Sequence, residues 1–316
     1  MKKKLASIFA SLALLLPMAS NQVQACTGAR QLAMGDAGVA ACNDSHAVYW
    51  NQAELPNLKQ PEVSYTKQFG DTDNARYDDV LSFASPITDK LGVGVQLMNG
   101  SKGNLKQDGW NEKESWVKLG AGYKFNKETN SWVYSIGGAL TEKDIRLTNL
   151  DKNNQKSQRE KTGLEYETSL LAEKKDVLIK GDDLRVGVLA REQFGIDGDE
   201  NGRNLAVRPA LAYAIPNSLG NFTLASELYE ADELAGLDKM LGQKGAGREY
   251  AKPRIGVEQR LGREDKNLAL RAGWDGAGDE GKGRLTFGLG ATYKNTTLNV
   301  AYTDDNVGWV EVGVKF

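Results

Sequence analysis

Histidine is almost absent from this sequence, since His46 is the only one among 316 residues, and cysteine occurs only twice. These residues cannot supply a zinc-ligand set, and neither cysteine belongs to a Cys-x-x-Cys redox motif. A Ser–His–acid triad would have to use His46, and no phosphate-binding loop or dinucleotide fingerprint occurs in the chain. The sequence therefore gives little support to an enzyme, and we expect neither a metal site nor a cofactor.

Long hydrophobic runs are missing beyond the N-terminus. The single run extends from Leu5 to Met18, after three lysines and before small residues that continue to Ala25. This order of charged, apolar and small residues predicts a secretory signal peptide over residues 1–25. The run is too short for a stable membrane span, and no later segment is long enough, so the sequence excludes a helical membrane protein. We expect an exported chain.

An excess of basic residues is also lacking, with 40 Lys and Arg against 42 Asp and Glu. The exported part would be mildly acidic, because the signal peptide removes three lysines, and this argues against a nucleic-acid partner. The mean hydropathy of −0.49 is low. A membrane barrel exposes only alternate strand residues to lipid, however, so low hydropathy does not exclude one.

The two cysteines, Cys26 and Cys42, both lie near the start of the exported part. In an oxidising periplasm, a disulfide between them is the first interpretation. The segment Val23-Gln-Ala-Cys26 also loosely resembles a lipobox, in which Cys26 would be acylated, although Gln24 fits that pattern poorly. The sequence leaves both possibilities open and favours the disulfide.

The last eight residues alternate strictly between apolar and polar positions. Val310, Val312, Val314 and Phe316 share one face of a predicted strand, and Trp309, Glu311, Gly313 and Lys315 share the other. Outer-membrane barrels of bacteria often end on such a strand, with a terminal aromatic that resembles the signal read by the barrel-assembly machinery. We therefore expect the face of Phe316 to meet lipid, and the opposite face to line a lumen.

Alternating segments of about ten residues continue through the chain from Pro61, and we count about fourteen. Their predicted starts are Glu62, Tyr77, Leu91, Ser115, Ser131, Gly163, Leu184, Leu205, Phe222, Lys252, Asn267, Arg284, Thr296 and Trp309. The predicted fold is all-β, a transmembrane antiparallel barrel of about fourteen strands.

The predicted connections fall into two classes of length. Those on the side of Phe316 are compact: Pro86–Lys90, Asn126–Asn130, Pro216–Gly220, Gly262–Lys266 and Lys294–Asn295. Those on the opposite side are mostly longer and polar: Asn99–Glu114, Glu142–Thr162, Gly195–Asn204, Ala231–Tyr250 and Gly276–Gly283. Short periplasmic turns opposite long external loops are typical of such barrels.

The lumen face of the C-terminal strands carries charges of both signs. Its members are Arg208, Glu227, Arg254, Glu258, Arg260, Arg271, Asp275, Arg284, Glu311 and Lys315. Pairing around the Gly262–Lys266 turn places Glu258 opposite Arg271 and Arg254 opposite Asp275, and the next hairpin adds Arg284 beside Asp275. These pairs either keep the wall rigid, which we favour, or leave Arg254 and Arg271 to bind a carboxylate head group.

The predicted external loop Ala231–Gly242 contains an apolar stripe of Leu234, Leu237, Met240 and Leu241 at helical spacing. Such a stripe in a solvent-exposed loop either binds an apolar ligand or folds onto the rim of the barrel as a short helix. The sequence does not separate the two.

The segment after the signal peptide is rich in Ala and Gly and does not alternate, so we predict a short helix ending near Gly38 and a turn around Asn43–Ser45. It resembles the N-terminal plug of FadL/TodX-type outer-membrane transporters and of PorV/PorQ-like barrels. The positions that carry the resemblance are Gly28, Arg30, Met34, Gly35, Gly38, Tyr49, Trp50 and Asn51. Gln52 stands where that pattern usually has proline. Strands near Pro253–Arg260, Leu268–Trp274 and Leu285–Ala291 also resemble the closing strands of these barrels.

The resemblance implies three parts: a signal peptide at 1–25, a plug at 26–57 and an outer-membrane barrel at 58–316. It implies transport of hydrophobic or amphipathic small molecules such as fatty acids, through movement of the plug or a lateral gap in the wall. The expected partners are membrane lipid, the barrel-assembly machinery and a hydrophobic ligand. The alternatives are a PorV/PorQ-like partner of a secretion system, a structural barrel or narrow pore, and an exported β-sandwich.

Overall fold

Fourteen antiparallel strands close into a single barrel in the computed structural model. The structure describes residues 27–70, 79–102, 110–126, 132–150, 155–194, 204–229, 252–276, 283–304 and 306–316. Each strand pairs with its neighbours in sequence, and β1 pairs with β14 to close the wall. The strands are β1 Glu62–Gly70, β2 Asp79–Pro86, β3 Leu91–Lys102, β4 Trp110–Lys124, β5 Val133–Leu150, β6 Lys156–Lys175, β7 Asp183–Phe194, β8 Asn204–Asn217, β9 Gly220–Tyr229, β10 Lys252–Arg263, β11 Lys266–Asp275, β12 Arg284–Tyr293, β13 Thr296–Thr303 and β14 Val307–Lys315. The predicted fold class is confirmed.

The alternation of β14 has the predicted orientation. Val312 and Phe316 are 43% and 62% exposed on the outer surface, whereas Trp309 and Glu311 are buried in the lumen. The same parity holds around the wall, where the outward positions form a belt of exposed leucine, valine, phenylalanine and tyrosine side chains. A barrel has no free strand edge, so the whole outer surface can be apolar without leaving backbone groups unpaired.

Strands β3–β6 are longer than predicted. β4 begins at Trp110 and β6 at Lys156, so much of the predicted loops Asn99–Glu114 and Glu142–Thr162 belongs to strands. Outward positions there change from apolar to polar: Leu97 is followed by Asn99, and Leu140 by Glu142. Once both faces are polar, the alternation disappears from the sequence although the strand continues.

The lumen is filled by the residues between Thr27 and Leu58. They form helix α1 (Ala29–Leu32), helix α2 (Ala47–Trp50) and a 3-10 helix (Gln52–Asn57) joined by turns. We call residues 27–57 the plug. Helix α1 ends six residues before the predicted end near Gly38, because Gly35 and Asp36 adopt positive φ angles of 66° and 60°. None of the helices in the described ranges has the length and apolarity of a membrane span.

The plug forms the core of the molecule. Its Val48, Tyr49, Trp50 and Leu55 join one apolar cluster with wall residues of β2, β3, β4 and β7. Its Ala29, Leu32 and Ala33 join a second cluster with Ala301, Val307 and Trp309. The interior is therefore mixed, with two apolar clusters set among buried charged pairs.

Candidate functional site: the interface of plug and wall

Arg30 is the plug's main contact with strands β10 and β11. Its guanidinium donates to both carboxylate oxygens of Glu258, at 2.9 and 3.0 Å, and both side chains are buried. Glu258 also accepts from Arg271 at 2.7 Å and from Arg260 at 2.9 Å. One wall carboxylate thus holds three guanidinium groups, one of which belongs to the plug. Planar fork geometry makes arginine suited to this role.

His46 and the first residue of α1 meet on Glu311 of β14. One Glu311 oxygen accepts the backbone N–H of Ala29 at 2.7 Å and lies 3.1 Å from His46 Nε2. The imidazole also lies 3.1 Å from Ser64 Oγ and, through Nδ1, 3.1 Å from Ser82 Oγ. Burial lowers the pKa of His46, but the Glu311 carboxylate, with Asp44 and Glu62, raises it by more, so the net pKa lies above its ordinary value.

A chain of alternating charges continues around the wall from the plug's Asp36. Arg284 lies 3.1 Å from Asp36 and 3.2 Å from Asp275, which accepts from Arg254 at 2.9 Å. Glu227 then joins Arg254 to Arg208 and accepts the N–H of Val39 at 3.1 Å.

The strand registers confirm the predicted pairs. Glu258 is opposite Arg271 and Arg254 is opposite Asp275, with Asp275 opposite Arg284 on the next strand. Arg254 and Arg271 are 2% and 7% exposed and are engaged by wall carboxylates. This arrangement favours the interpretation in which the pairs keep the wall rigid.

The opposite side of the wall holds a second charged cluster, around Tyr49. The Lys118 ammonium lies 4.8 Å from the Tyr49 ring centroid and the Arg191 guanidinium 5.2 Å from it. Lys118 pairs with Glu167 at 2.8 Å, and Lys143 pairs with Glu165 at 2.7 Å. This cluster was not predicted from the sequence. Its signal was available, since Glu165, Glu167 and Ser169 alternate with the apolar Leu164, Tyr166 and Leu170.

Gln52, which replaces the usual proline, links the plug to this second cluster. Its Nε2 donates to Glu167 Oε2 at 2.6 Å and to the carbonyl of Val48 at 2.9 Å. Asn51 begins the 3-10 helix by accepting the N–H of Ala53 at 3.1 Å, and it donates to the carbonyl of Val39 at 2.8 Å. A proline at position 52 could make neither of the glutamine contacts.

Glycines at lumen positions let the plug approach the wall backbone. A Cβ built on Gly273 would lie 2.1 Å from Gly35 N, and one built on Gly256 would lie 2.2 Å from the carbonyl oxygen of Met34. Within the plug, a Cβ on Gly38 would lie 2.3 Å from the indole of Trp50, which is fully buried. Gly28 has φ of 87° and its Cβ would meet Gln31. The glycines among the resemblance positions of the plug are therefore packing positions.

An apolar surface lies where β2, β3 and β4 meet the plug. Val80, Met98 and Trp116 occupy consecutive cross-strand positions in the lumen and are at most 9% exposed. They belong to the same cluster as Tyr49 and Trp50. The Lys143 ammonium covers the Trp116 ring at 3.6 Å from its centroid. We call this surface the apolar patch. It was not predicted from the sequence, where the charged lumen residues were the candidates.

A cavity of about 600 Å³ lies between the plug and the ends of β10–β14 that are joined by the short turns at 262–266 and 294–295. Polar and charged side chains line it, among them Arg30, Asp44, Arg271 and Glu311. Glu54 of the plug borders the same space and pairs with Arg185 at 2.8 Å. The apolar patch and this polar cavity are thus separated by the plug.

Cys42 is buried and forms no disulfide among the described residues. The predicted disulfide stays a prediction, because its other cysteine lies outside them. The Cys42 sulfur accepts a hydrogen bond from Gln31 at 3.2 Å, and the thiol donates one to Asp44 at 3.3 Å. Both partners belong to the plug. Burial, together with Asp44, raises the pKa of this thiol well above its ordinary value. Cys26 lies outside the described residues, as do the predicted signal peptide and the apolar stripe Leu234, Leu237, Met240 and Leu241.

Three solved structures match this chain along nearly their whole length. A FadL homologue from Pseudomonas aeruginosa is 9% identical, with 96% of this chain and 99% of that chain covered and a TM-score of 0.54. The toluene transporter TbuX of Ralstonia pickettii is 10% identical, with 92% and 98% covered and a TM-score of 0.55. The toluene transporter TodX of Pseudomonas putida is 12% identical, with 91% and 96% covered and a TM-score of 0.51.

Sequence comparison alone finds no such similarity, since no family model matches the chain and no curated protein is significantly similar to it. At identities of 9–12%, the structural likeness shows the fold. The chain has the fold of the FadL/TodX-type transporters, as the resemblance in the sequence predicted. The matched proteins are a FadL homologue and two toluene transporters rather than enzymes, in agreement with the expectation from the sequence.

Proposed function

We propose that this protein is an outer-membrane channel for small apolar molecules, with lipid around its belt and the barrel-assembly machinery as the reader of Phe316. The observation that carries the proposal is the apolar patch of Val80, Met98 and Trp116 against the plug inside a barrel with an apolar outer surface. A buried apolar surface in the lumen offers a small apolar molecule contact away from water. The shared fold with two toluene transporters supports this function.

The charges of the lumen favour an uncharged cargo over a carboxylate. Arg254 and Arg271 face wall carboxylates at 2.9 and 2.7 Å, and a carboxylate cargo would have to displace them. Leaving a buried charge without its partner costs about 3–5 kcal/mol. An aromatic or aliphatic hydrocarbon that rests on Met98 and Trp116 pays no such cost. Fatty acids, which the resemblance in the sequence implied, are therefore the less favoured cargo.

The route past the plug is proposed to need a rearrangement of the plug itself. In the described strands, β2 and β3 pair residue by residue from Asp79 with Asn99 to Pro86 with Gly92, so this part of the wall is continuous. The plug's contacts with the wall are local, and the polar cavity of about 600 Å³ already leaves space on its periplasmic side. A small shift near α2 would connect the apolar patch to that cavity.

Uptake of radiolabelled toluene and oleate by cells that express the protein tests the proposal. We expect faster toluene uptake than in cells with the empty vector, and a several-fold decrease for Met98→Ala because it removes apolar contact in the lumen. Leu97→Ala is the matched control, since Leu97 is the next residue on β3 and faces outward with 41% exposure. Equal uptake with and without the protein, or equal loss in both variants, would contradict the proposal.

A further inference from the structure

Strands β3–β6 extend beyond the apolar belt and carry a polar groove on their outward face. The groove has a volume of about 530 Å³, within the range of about 300–1,000 Å³ for small-ligand sites. Outward side chains that line it include Ser101, Lys113, Asp144, Arg146 and Glu160. It therefore lies outside the lumen and is separate from the interface of plug and wall.

Two cations face each other directly in this groove. Lys113 of β4 and Arg146 of β5 are cross-strand partners on the outward face, and both are exposed. Side chains at such positions have Cβ atoms about 4.5–5.5 Å apart, and like charges there are destabilising. Arg146 has one carboxylate partner, Glu160 at 2.7 Å. The two side chains are 57% and 61% exposed, so the ion pair is weak and Arg146 can bind another anion instead. An anion between Lys113 and Arg146 would relieve the repulsion.

The acceptors of the groove suit hydroxyl groups. Asp144 accepts from Thr162 at 2.7 Å, and its carboxylate and that of Glu160 are exposed beside the two cations. Carboxylates accept hydrogen bonds only, so they match the hydroxyl donors of a sugar, whereas Arg and Lys match phosphate. Together the four side chains complement a phosphorylated sugar.

The groove is continuous with the belt below it. On the same four strands, the belt extends to Leu97, Val117, Leu140 and Leu164, each 41–45% exposed. Asn99, Ser115, Glu142 and Thr162 are the next outward residues on those strands. A molecule whose acyl chains lie on the leucines would place its head group in the groove.

We propose that this groove binds the phosphorylated sugar head of an outer-leaflet glycolipid, with the phosphate between Lys113 and Arg146. The proposal requires the outer-membrane location of the proposed function, but it is independent of what the lumen carries. The lipid would fix β4 and β5 at the membrane surface, where the belt ends.

Native mass spectrometry of the full-length protein in detergent, with added diphosphorylated lipid A, tests this site. We expect bound lipid A to survive detergent release, and the double variant Lys113→Gln/Arg146→Gln to retain at least tenfold less. Lys67→Gln is the matched control, because Lys67 is an outward cation on β1 that pairs with Asp79 at 3.0 Å and has no opposed cation. Heat-modifiable gel migration checks that each variant is folded.

Three outcomes would overturn the proposal: equal retention by the double variant, equal loss in Lys67→Gln, or equal binding of dephosphorylated lipid A. Displacement of lipid A by millimolar inorganic phosphate would identify free phosphate as the ligand and would also overturn it. The uptake of toluene is measured separately, so failure of lipid binding with intact uptake leaves the proposed function standing.

Discussion

His46 lies where three elements of the wall meet the plug, and it is fully buried. Its ring nitrogens contact Ser64 of β1, Ser82 of β2 and Glu311 of β14. The charged groups that face it are Glu311 from β14, Asp44 from the plug and Glu62 from β1. A protonated imidazole offers two donors to this set of acceptors, so the positive form is the one that the site stabilises.

The sole histidine makes a direct titration possible. We predict that the His46 imidazole titrates above 6.5, its ordinary pKa, because the neighbouring carboxylates outweigh burial. A raised pKa in the folded state means that the ion pair stabilises the protein fully below that ordinary value. The contribution is lost as pH rises through the folded pKa. NMR of histidine-labelled protein in detergent micelles measures the titration, with a single imidazole to assign.

The stability of His46→Gln provides the second measurement. Glutamine can keep hydrogen bonds to Ser64 and Ser82 but carries no charge. The midpoint temperature of heat-modifiable migration should therefore depend less on pH in the His46→Gln variant than in wild type. The wild-type advantage should be largest in mildly acidic buffer and should shrink toward alkaline pH. A titration at or below 6.5, or an advantage that grows with pH, would contradict the charged pair.

Glycines on β10 and β11 lie directly against the backbone of the plug. Gly273 faces the lumen, and a Cβ there would lie 2.1 Å from Gly35 N and 2.3 Å from the carbonyl carbon of Met34. Both atoms belong to backbone, which cannot rotate away as a side chain would. The plug segment must therefore shift if any side chain is placed at this position.

We predict that Gly273→Ala destabilises the folded protein by about 1–3 kcal/mol, the usual range for overpacking. Gly313→Ala is the matched control, since Gly313 also lies at a lumen position and a Cβ there meets its nearest atom, Glu62 Oε1, at 3.5 Å. The midpoint temperature of heat-modifiable migration measures both variants. Equal midpoints for the two alanine variants would show that Gly273 is not in close contact with the plug.

Strands could be read from the sequence where the outward face is apolar and the lumen face is polar. Starts at Glu62, Leu91, Lys252, Arg284 and Thr296 agree with the structure. The lumen face assigned from β14 also predicted the cross-strand pairs of Glu258 with Arg271 and of Asp275 with Arg254 and Arg284. Side chains that alternate in one register share a face, so one fixed residue orients the whole wall.

The outer parts of β4–β6, and the contact of the plug with the cluster around Tyr49, could not be read in the same way. Outward residues such as Lys113 and Arg146 are as polar as the inward ones, so no period of two remains in the sequence. The contact of Gln52 with Glu167 joins residues 115 positions apart. It depends on the depth at which the plug sits, which local alternation does not encode.

The whole molecule consists of a wall held by backbone hydrogen bonds and a plug held by side chains. Each strand pairs with two neighbours around the closed barrel, and the wall carboxylates Glu258, Glu227 and Glu311 face the plug. If the plug were removed, water would fill the lumen and hydrate these carboxylates, so no buried charge would remain without a partner. The wall should therefore close without the plug.

We predict that deletion of residues 27–57, with residues 1–26 retained, yields a folded barrel with greatly increased ion conductance in planar bilayers. The expected reason is that the plug occupies the lumen, as the burial of Trp50 and Leu55 shows. Lys59→Gln/Glu264→Gln is the matched control, because it removes an exposed pair beside the short turns of the barrel and leaves the plug in place. This control should conduct as weakly as wild type. A deletion variant that shows no heat-modifiable band would mean that the wall needs the plug to close, and a folded variant with unchanged conductance would mean that the plug is not the barrier.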